Sequence, residues 1–397
     1  MQIGVVGKPN VGKSTFFSAA TLIDVEMQNY PFTTIEPNKG IGFVRVECAD
    51  KFFDVQCNPR TGYCINHVRF VPVELIDVAG LVPGASEGKG LGNKFLDDLR
   101  QANALIHVID LSGSTNEKGE SITKNSYDPA EDVLFLEKEI DLWFLGIIKK
   151  NWGKFAKIPV KEKNKKLDAM AQNLSGIGAS ALQIDRAVSK LKLWEKKFAE
   201  WEEKDFEDFA KAVREESKPI IIAANKADIA SEETLKKLKQ RFPEKMIIAC
   251  SAVSELTLKK AAKEKVITYV PGEKSFEKIR ELNEKQEKGL EYIQKKVLEK
   301  FGGTGVQEIL DKAVFDFLHY IAVFPGGVKK LSDSEGNVLP DCLLMPPNST
   351  TLDFAFKLHT DLGENFIRAI DVKTKQMVGK EHELKNRDVI EIIFNKK

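Results

Sequence analysis

The segment Gly7–Ser14 has the residue types and spacing of a loop that cradles phosphate groups: it reads Gly-Lys-Pro-Asn-Val-Gly-Lys-Ser. Its glycines let the backbone come close to the phosphates, and the ammonium group of Lys13 can reach the outer phosphate oxygens. The hydroxyl of Ser14 is an oxygen ligand of the kind that Mg²⁺ prefers. We therefore expect a nucleoside triphosphate and its Mg²⁺ to bind here. The residues expected to contact the nucleotide are Asn10, Val11, Gly12, Lys13, Ser14 and Thr15.

Such a loop must be positioned by a strand before it and a helix after it, and the sequence supplies both. The apolar run Ile3–Val6 precedes the loop, and a helix-compatible stretch begins at Thr15. The N-terminal amides of that helix would point at the phosphates. This context favours phosphate binding over a glycine turn that matches by chance.

A second motif, Asp77-Val78-Ala79-Gly80, follows the apolar run Val73–Ile76. An aspartate in this place can hold the water shell of Mg²⁺, and the amide of the glycine can contact the γ-phosphate. We expect Ser14 and Asp77 to bind the metal, and Lys13 and Gly80 to contribute to catalysis.

A third motif, Asn225-Lys226-Ala227-Asp228, ends a buried-strand pattern and indicates guanine. The carboxylate of Asp228 can accept hydrogen bonds from the ring N–H and the exocyclic amine, which adenine does not offer together. The stem of Lys226 can pack along the base. At the end of the next strand pattern, Ser251 and Ala252 can bring a backbone amide to the guanine carbonyl oxygen. Ligands bind at the carboxyl ends of parallel strands, so these segments are expected to converge on GTP or GDP.

In this order the motifs resemble those of translation-factor-type GTPases of the Obg superfamily, most closely the YchF branch. The resemblance is carried by Gly7–Ser14, by Tyr30-Pro31-Phe32-Thr33-Thr34 and by the glycine-rich stretch from Asp77 to Leu99. It implies an α/β fold with a P-loop NTPase G domain. It also implies a threonine that closes over Mg²⁺ and the γ-phosphate. We expect this threonine to be Thr34, with Thr33 as the alternative.

The sequence leaves alternatives open for two properties, the preferred base and the rate of hydrolysis. Many YchF relatives lack the Asn-Lys-x-Asp element and are ATPases, whereas this chain retains it. The residues therefore favour GTP, and the resemblance makes an ATPase with relaxed base specificity the main alternative. Leu81 stands where Ras-like enzymes carry the glutamine that orients the attacking water. We expect slow intrinsic hydrolysis, and a nucleotide-gated binding module with negligible turnover is a third interpretation.

Asn10 suggests one way to accelerate hydrolysis. In several GTPases of this broad class, an asparagine at this place helps to hold K⁺ near the phosphates. We treat K⁺ as a hypothesis, and the alternative is a loop asparagine that bonds its own backbone.

The 397 residues are enough for several domains, and the patterns divide them. Residues 1–127 and 218–321 are expected to form the G domain with C-terminal helices. Residues 128–217 read as a helical insertion with a hairpin or short coiled coil. Residues 322–397 show alternating strands around a helix and resemble a TGS domain, a ubiquitin-like β-grasp fold.

Within the insertion, apolar residues recur at a spacing of three to four, which predicts one long amphipathic helix. A second helix is predicted over Val133–Lys150, and a turn at Gly176-Ile177-Gly178. We interpret the tryptophans of the long helix as packing residues. The apolar residues are Ile184, Ala187, Val188, Leu191, Trp194, Phe198 and Trp201.

The partners and the location follow mainly from the resemblance and from composition. The resemblance implies the ribosome or RNA as a partner, and the lysine-rich segment Lys149–Lys166, which includes Trp152, could contact RNA. We expect neither DNA nor a membrane as a partner. No run of about eighteen apolar residues exists, and the first strand begins at Gln2, which leaves no room for a signal peptide. A cytoplasmic protein is therefore expected, while the oligomeric state stays open.

Other residues that could do chemistry are a strand histidine and a group of cysteines. His107 lies in the strand pattern Ala104–Asp110 and is expected to be a packed residue rather than a catalytic base. Cys48, Cys57, Cys64 and His67 cluster in sequence, but their spacing lacks the usual Cys-x2–4-Cys of zinc sites. The spacing favours ordinary thiols, with structural zinc as the alternative.

Overall fold

The structure is a computed structural model, and it describes residues 1–21, 38–78, 98–156 and 162–395. By their mutual contacts, the described residues fall into two compact units. The first unit contains the described residues of 1–19, 37–40 and 74–309, and the second contains those of 20–36, 41–73 and 310–397. The helical insertion thus belongs to the first unit. Residues 41–73 belong with the C-terminal part of the chain.

The helices and strands are numbered here in chain order. The strands of the described residues are β1 (Gln2–Val6), β2 (Lys39–Glu47), β3 (Tyr63–Ile65), β4 (Val68–Asp77), β5 (Ala104–Asp110), β6 (Ile220–Asn225), β7 (Ile247–Ala249), β8 (Ile267–Thr268), β9 (Glu277–Lys278), β10 (Ile321–Pro325), β11 (Leu343–Met345), β12 (Phe366–Asp371), β13 (Gln376–Val378) and β14 (Val389–Phe394). The helices are α1 (Lys13–Thr21), α2 (Pro129–Ala156), α3 (Lys163–Leu174), α4 (Ala181–Lys190), α5 (Glu203–Ser217), α6 (Glu232–Arg241), α7 (Ala252–Lys263), α8 (Glu284–Ile293), α9 (Val306–Lys312), α10 (Thr351–Leu358) and α11 (Thr360–Glu364).

A parallel sheet forms the centre of the first unit, in the order β4-β1-β5-β6-β7. Its strands are continuous apolar runs, as expected for strands that are covered on both faces. The register pairs Val5 with Asp77 and Asp110 with Asn225. The carboxyl ends of β1, β4, β5 and β6 therefore lie at one edge of the sheet. The predicted parallel sheet of a P-loop NTPase is confirmed.

The insertion is helical, as predicted, but its described residues form four helices rather than the two of a hairpin. Helices α2, α3, α4 and α5 surround a common apolar core. The predicted helix over Val133–Lys150 is confirmed as part of α2, and the predicted turn is a 3-10 turn over Ser175–Ile177 that ends at Gly178. Buried residues of the core include Phe144, Ile148, Met170, Ile184, Val188, Phe209 and Val213.

The prediction of one long helix from Ile184 to Trp201 is wrong. Helix α4 ends at Lys190, and Lys192 adopts a left-handed conformation with φ of 55°. Two 3-10 turns follow, over Leu193–Glu195 and Phe198–Glu200. The apolar spacing persists because these turns bury their side chains in the same core as the helix. Periodicity reports which side of the chain is buried, and it does not report where the helical hydrogen bonds stop.

The tryptophans of the insertion pack against each other, as predicted. The ring centroid of Trp152 lies 5.1 Å from that of Phe198 and 4.5 Å from that of Trp201. Its indole N–H donates to the carbonyl oxygen of Phe198 at 3.1 Å. Lys166 is also buried, with its ammonium 4.0 Å from the centroid of the Phe198 ring. Because these side chains face the core, Trp152 and Lys166 are not placed to stack on or grip RNA.

After β7 the first unit continues with α7, the short pair β8 and β9, and α8. A π-helical turn over Gln294–Leu298 extends α8 to Phe301, and Gly302 ends it with φ of 76°. Helix α9 is followed by a π-helical turn over Ala313–Phe317, and Ile321 begins β10.

The second unit contains a mixed sheet in the order β11-β10-β14-β12-β13. Strands β10 and β14 are parallel, and the other neighbours are antiparallel. Helix α10 begins with a capping box between Thr350 and Asp353 and buries Phe354 against Val323 and Ala369. This arrangement confirms the predicted β-grasp fold.

The same unit holds the hairpin formed by β3 and the first part of β4, residues 68–73. Tyr63 pairs with Phe70 across the hairpin, and their rings stack at 4.3 Å between centroids. The turn is formed by Asn66 and His67, which both have positive φ angles. Among the described residues, no helix is both long enough and apolar enough to cross a bilayer.

Candidate functional site

The phosphate loop runs from the end of β1 directly into the first turn of α1. The amide of Phe16 donates to the carbonyl oxygen of Gly12 at 2.8 Å, which is the first helical bond of α1. The amides of the preceding residues have no partner within the helix, and the helix dipole favours an anion beside them. Gly12 has φ of 91°, and a Cβ atom there would lie 2.3 Å from the side-chain nitrogen of Asn225. A glycine is therefore required at this position.

Lys13 and Asp77 meet at the edge of the sheet. The ammonium nitrogen of Lys13 forms a salt bridge with the carboxylate of Asp77, and both side chains are largely buried. The parallel register between β1 and β4 explains the contact, since it places Asp77 beside Val5, just before the loop. Ser14 is exposed in the first turn of α1. The predicted phosphate-binding lysine and the predicted Mg²⁺ carboxylate are thus neighbours.

Asn225 connects the phosphate loop to the ends of the last two strands of the sheet. Its side-chain nitrogen donates to the carbonyl oxygen of Val11 at 2.9 Å, and its side-chain oxygen accepts from the amide of Ala252 at 3.0 Å. Only 3% of Asn225 is exposed. One N–H and the oxygen of this side chain are engaged within the protein, so Asn225 holds the loops in place, while its contact with a base stays a prediction.

Asp228 and Ser251 are also in contact. The hydroxyl of Ser251 donates to the carboxylate of Asp228 at 2.9 Å and caps α7 by accepting from the amide of Ser254. The hydroxyl of Tyr292 donates to the backbone oxygen of Asp228 at 3.0 Å. These bonds fix both the side chain and the backbone of the residue that was predicted to read guanine.

The backbone amides of Ser251 and Ala252 differ from the expectation. The amide of Ser251 donates to the carbonyl oxygen of Thr304 at 2.9 Å, and that of Ala252 donates to Asn225. Both are therefore engaged in holding α7 to its neighbours. The sequence could not show this, because Thr304 lies about fifty positions further along the chain.

Lys226 is anchored by a residue that the sequence reasoning missed. Its ammonium donates to the carboxylate of Asp110 at 2.9 Å, and Lys226 has φ of 62°. Asp110 is buried at the end of β5 and also accepts from the hydroxyls of Ser114 and Thr115. Burial alone would raise the pKa of Asp110, but hydrogen bonds, led by one from Ser112, outweigh it and lower the pKa. The residue is thus a charged anchor for Lys226.

One signal could have pointed to Asp110. It ends a buried strand of the same parallel sheet, as Asp77 does. A carboxylate at such a position lies at the edge where the ligand-binding groups meet. Its partner Lys226 is remote in sequence, so the pair itself was not visible.

Lys8 and Asn10 fix the outer part of the phosphate loop. Lys8 is buried, forms a 2.8 Å salt bridge with Asp132 of α2, and lies 3.8 Å from the centroid of the Tyr127 ring. Asn10 has φ of 63°, and its side-chain nitrogen donates to the carbonyl oxygen of Gly119 at 2.8 Å. The side-chain oxygen of Asn10 is the atom that could serve as a ligand of a cation.

His107 is packed inside the sheet, as predicted. It is 3% exposed, and burial, followed by the charge of Lys8, lowers its pKa to about 3. The ring is therefore neutral at neutral pH, and this excludes a role that needs a charged imidazole.

Four residues of the predicted site lie outside the described residues. They are Thr33, Thr34, Gly80 and Leu81. The described site accordingly consists of the phosphate loop, the carboxylate of Asp77 and the segments around Asn225 and Ser251.

Comparison with known proteins places these segments in a family. A model of 50S ribosome-binding GTPases matches residues 2–139, and a model described as the G4 motif-containing domain of YGR210-like Obg-like GTPases matches residues 223–327. A TGS domain model matches residues 329–394. The three matches cover the phosphate loop, the Asn-Lys-x-Asp motif and the β-grasp sheet.

Relatives resemble the chain along nearly its whole length. An uncharacterized GTP-binding protein of Methanocaldococcus jannaschii is 49% identical over 395 residues, which are 98% of each chain. The ribosome-binding ATPase YchF of Bacillus subtilis is 28% identical and covers 99% of this chain and 98% of its own. The crystal structure of a GTP-binding protein from Pyrococcus horikoshii superposes with a TM-score of 0.78 at 40% identity and full coverage of both chains.

Proposed function

Since this chain belongs to the YchF branch of the Obg-like GTPases, a family of P-loop nucleotide hydrolases, we propose that it is a Mg²⁺-dependent switch that binds and hydrolyses GTP. The observation that carries the proposal is the pair of hydrogen bonds made by Asn225. These bonds hold the phosphate loop and the start of α7 together. Asp228, three residues after Asn225, would then select the base.

The phosphate end of the site relies on charge. Lys13 and the amides of residues 10–15 would neutralise the phosphate oxygens, and Ser14 and Asp77 would hold Mg²⁺ directly or through water. When bound, Mg²⁺ supplies charge neutralisation between the β- and γ-phosphates. Thr34 and Gly80 remain proposed partners of the metal and the γ-phosphate.

The base end relies on hydrogen bonds. The carboxylate of Asp228 would accept from the ring N–H and the exocyclic amine of guanine, while Ser251 keeps that carboxylate oriented. Lys226 is held by Asp110, so its stem would form one wall beside the base. A buried polar group left without a partner costs about 1–3 kcal/mol, so ATP should bind at least about tenfold more weakly than GTP.

Hydrolysis is expected to be slow without an activator. Leu81 can neither donate nor accept a hydrogen bond, so another group must orient the water. We propose K⁺ near the phosphates, held in part by the side-chain oxygen of Asn10. The names of the relatives support the ribosome as the partner that accelerates turnover or reads the bound state, since several are called ribosome-binding.

Two alternatives remain, and one set of measurements separates them. Competition binding with GTP and ATP at fixed Mg²⁺ tests the base preference. Equal affinities would favour the ATPase of relaxed specificity that the relatives' names suggest. Steady-state turnover with ribosomes and K⁺ added tests whether the chain hydrolyses nucleotide. If turnover stayed negligible while nucleotide still changed co-sedimentation with ribosomes, the chain would be a nucleotide-gated binding module. Absence from ribosomes with every nucleotide would contradict the translation role.

A further inference from the structure

A compact group of sulfur and oxygen ligands lies in the second unit, among residues that the proposed switch does not use. Its members are Cys48 at the end of β2, Asp50 in the 3-10 turn that follows, Cys57 in the next loop, and Cys64 in β3. The three sulfur atoms and a carboxylate oxygen all lie within 4.8 Å of one another. Cys48, Asp50 and Cys57 are buried.

Backbone hydrogen bonds bring these residues together despite their irregular spacing. The amide of Cys48 donates to the carbonyl oxygen of His67 at 2.7 Å, which joins the end of β2 to the turn between β3 and β4. The amide of Cys57 donates to the carboxylate of Asp50 at 3.1 Å. The β3–β4 register places Cys64 opposite Arg69. The loop from residue 48 to residue 64 is thereby folded back on itself.

The distances fit a tetrahedral metal site. Zinc binds thiolate sulfur at about 2.3 Å, so two sulfur ligands at the tetrahedral angle stand about 3.8 Å apart. The sulfur atoms of Cys48 and Cys57 are 3.6 Å apart, and that of Cys64 is 3.9 Å from a carboxylate oxygen of Asp50. A disulfide would need a sulfur–sulfur distance of about 2.05 Å, and all three cysteines are free thiols.

The charges around the group point to a bound cation. Asp50 is fully buried, and its second oxygen lies 2.9 Å from Nδ1 of His67. A buried carboxylate among thiols is costly unless a positive charge compensates it. Arg69, also fully buried, donates to the sulfur of Cys57 at 3.4 Å and to the backbone oxygens of Leu339 and Pro340. His67 and Arg69 thus each contact one candidate ligand from outside the group, as residues that orient metal ligands do.

We propose that Cys48, Asp50, Cys57 and Cys64 bind one zinc ion, with His67 and Arg69 orienting the ligands. The site is structural, because all four positions are taken by protein groups and no position is open for substrate. It closes the loop between β2 and β3. A Cys-x2–4-Cys element is unnecessary here, since the 3-10 turn and the hairpin supply the convergence that such an element normally supplies.

Metal analysis of the full chain, expressed with zinc and purified without chelators, tests the proposal. We expect about one equivalent of zinc per chain. Cys57→Ala and Cys64→Ala should lose it. Cys342→Ala should retain it, because this buried thiol of the same unit lies outside the group. Less than about a tenth of an equivalent in the unaltered chain would overturn the proposal, as would retention of zinc by Cys57→Ala.

Cobalt substitution keeps the test decisive if the variants fail to fold. The unaltered chain loaded with Co²⁺ should show thiolate-to-cobalt charge transfer and the strong visible bands of four-coordinate cobalt. Weak bands of six-coordinate cobalt would overturn the proposal. This result is independent of nucleotide binding, which is measured separately.

Discussion

The side-chain nitrogen of Asn225 lies 2.9 Å from the carbonyl oxygen of Val11, so the end of β6 is bonded to the phosphate loop. Residues that are more than two hundred positions apart are therefore joined by one buried amide. A second bond from the same amide reaches Ala252. If the proposed function holds, base selection and phosphate binding are coupled through this side chain.

Replacing Asn225 with alanine should weaken GTP and GDP alike. The substitution leaves the Val11 carbonyl and the Ala252 amide without partners, at about 1–3 kcal/mol each, so affinity should fall by tenfold or more. Titration with fluorescent GDP and GTP measures it. Asn283→Ala, which removes the N-cap of α8 in the same unit, controls for a general loss of stability. Unchanged affinity in Asn225→Ala would show that the link to Val11 is dispensable.

Asp228→Asn should exchange guanine for xanthine. An amide donates where the carboxylate accepts, so it mismatches the guanine amine but matches the carbonyl that xanthine carries at the same position. We expect GTP affinity to drop at least about tenfold and xanthosine triphosphate to become the better ligand. Competition binding with the two nucleotides provides the measurement. Ser251→Ala, which releases the carboxylate and removes the N-cap of α7 but leaves Asp228 in place, should show a smaller loss and no exchange. A variant that still prefers GTP would remove Asp228 from base recognition.

Turnover should be faster in KCl than in NaCl at equal ionic strength. The side-chain oxygen of Asn10 is proposed to ligate K⁺ beside the phosphates, where the cation supplies positive charge. Asn10→Ala should abolish the difference between the two salts, although it also removes the bond to Gly119. Phosphate release in both salts, with Asn116→Ala as a loop control, is the assay. Equal rates for the unaltered protein would end the K⁺ hypothesis.

Lys218 gives a prediction about alkaline pH. It is 2% exposed, and burial lowers its pKa to about 8. Between about pH 8 and the usual lysine range near 10.4, the unfolded chain holds a proton that the folded chain has lost, so the stability contributed by this group rises with pH. Relative to Lys218→Met, the free energy of unfolding should gain up to about 3 kcal/mol across that window.

Urea denaturation of both proteins at several pH values checks this dependence. Subtracting the variant removes the contributions of the other titrating groups. A difference that stays flat from pH 8 to pH 10 would mean that the ammonium of Lys218 keeps its proton, held by the backbone oxygens of Arg100 and Ala102.

The parallel sheet and the order of the motifs could be predicted from the sequence because both depend on local patterns. Continuous apolar runs mark β1, β5 and β6, and the polar residues that end β5 and β6, Asp110 and Asn225, mark the edge where ligands bind. The contacts between these edges were not predictable. The sequence shows that Asp110 ends a strand, but its bond to Lys226 depends on which strands are neighbours in the sheet.

The insertion and the cysteine group show the same limit. The apolar spacing from Ile184 to Trp201 is real, yet it spans a helix and two 3-10 turns that share one core. The spacing of Cys48, Cys57 and Cys64 is irregular in the sequence, yet the folded chain brings their sulfur atoms together. In both cases, backbone hydrogen bonds take part in deciding the structure, and such bonds leave no trace in the residue types.

The second unit is built from an early and a late segment of the chain. This division sets the order in which the chain can fold during its synthesis. Residues 41–73 belong with residues 310–397, and Arg69 is buried against Leu339 and Pro340. A growing chain therefore carries the early segment of this unit unassembled while residues 74–309 are being made, a delay on the order of ten seconds or more at ordinary translation rates. The early segment must stay protected from aggregation until the last residues emerge and complete its core.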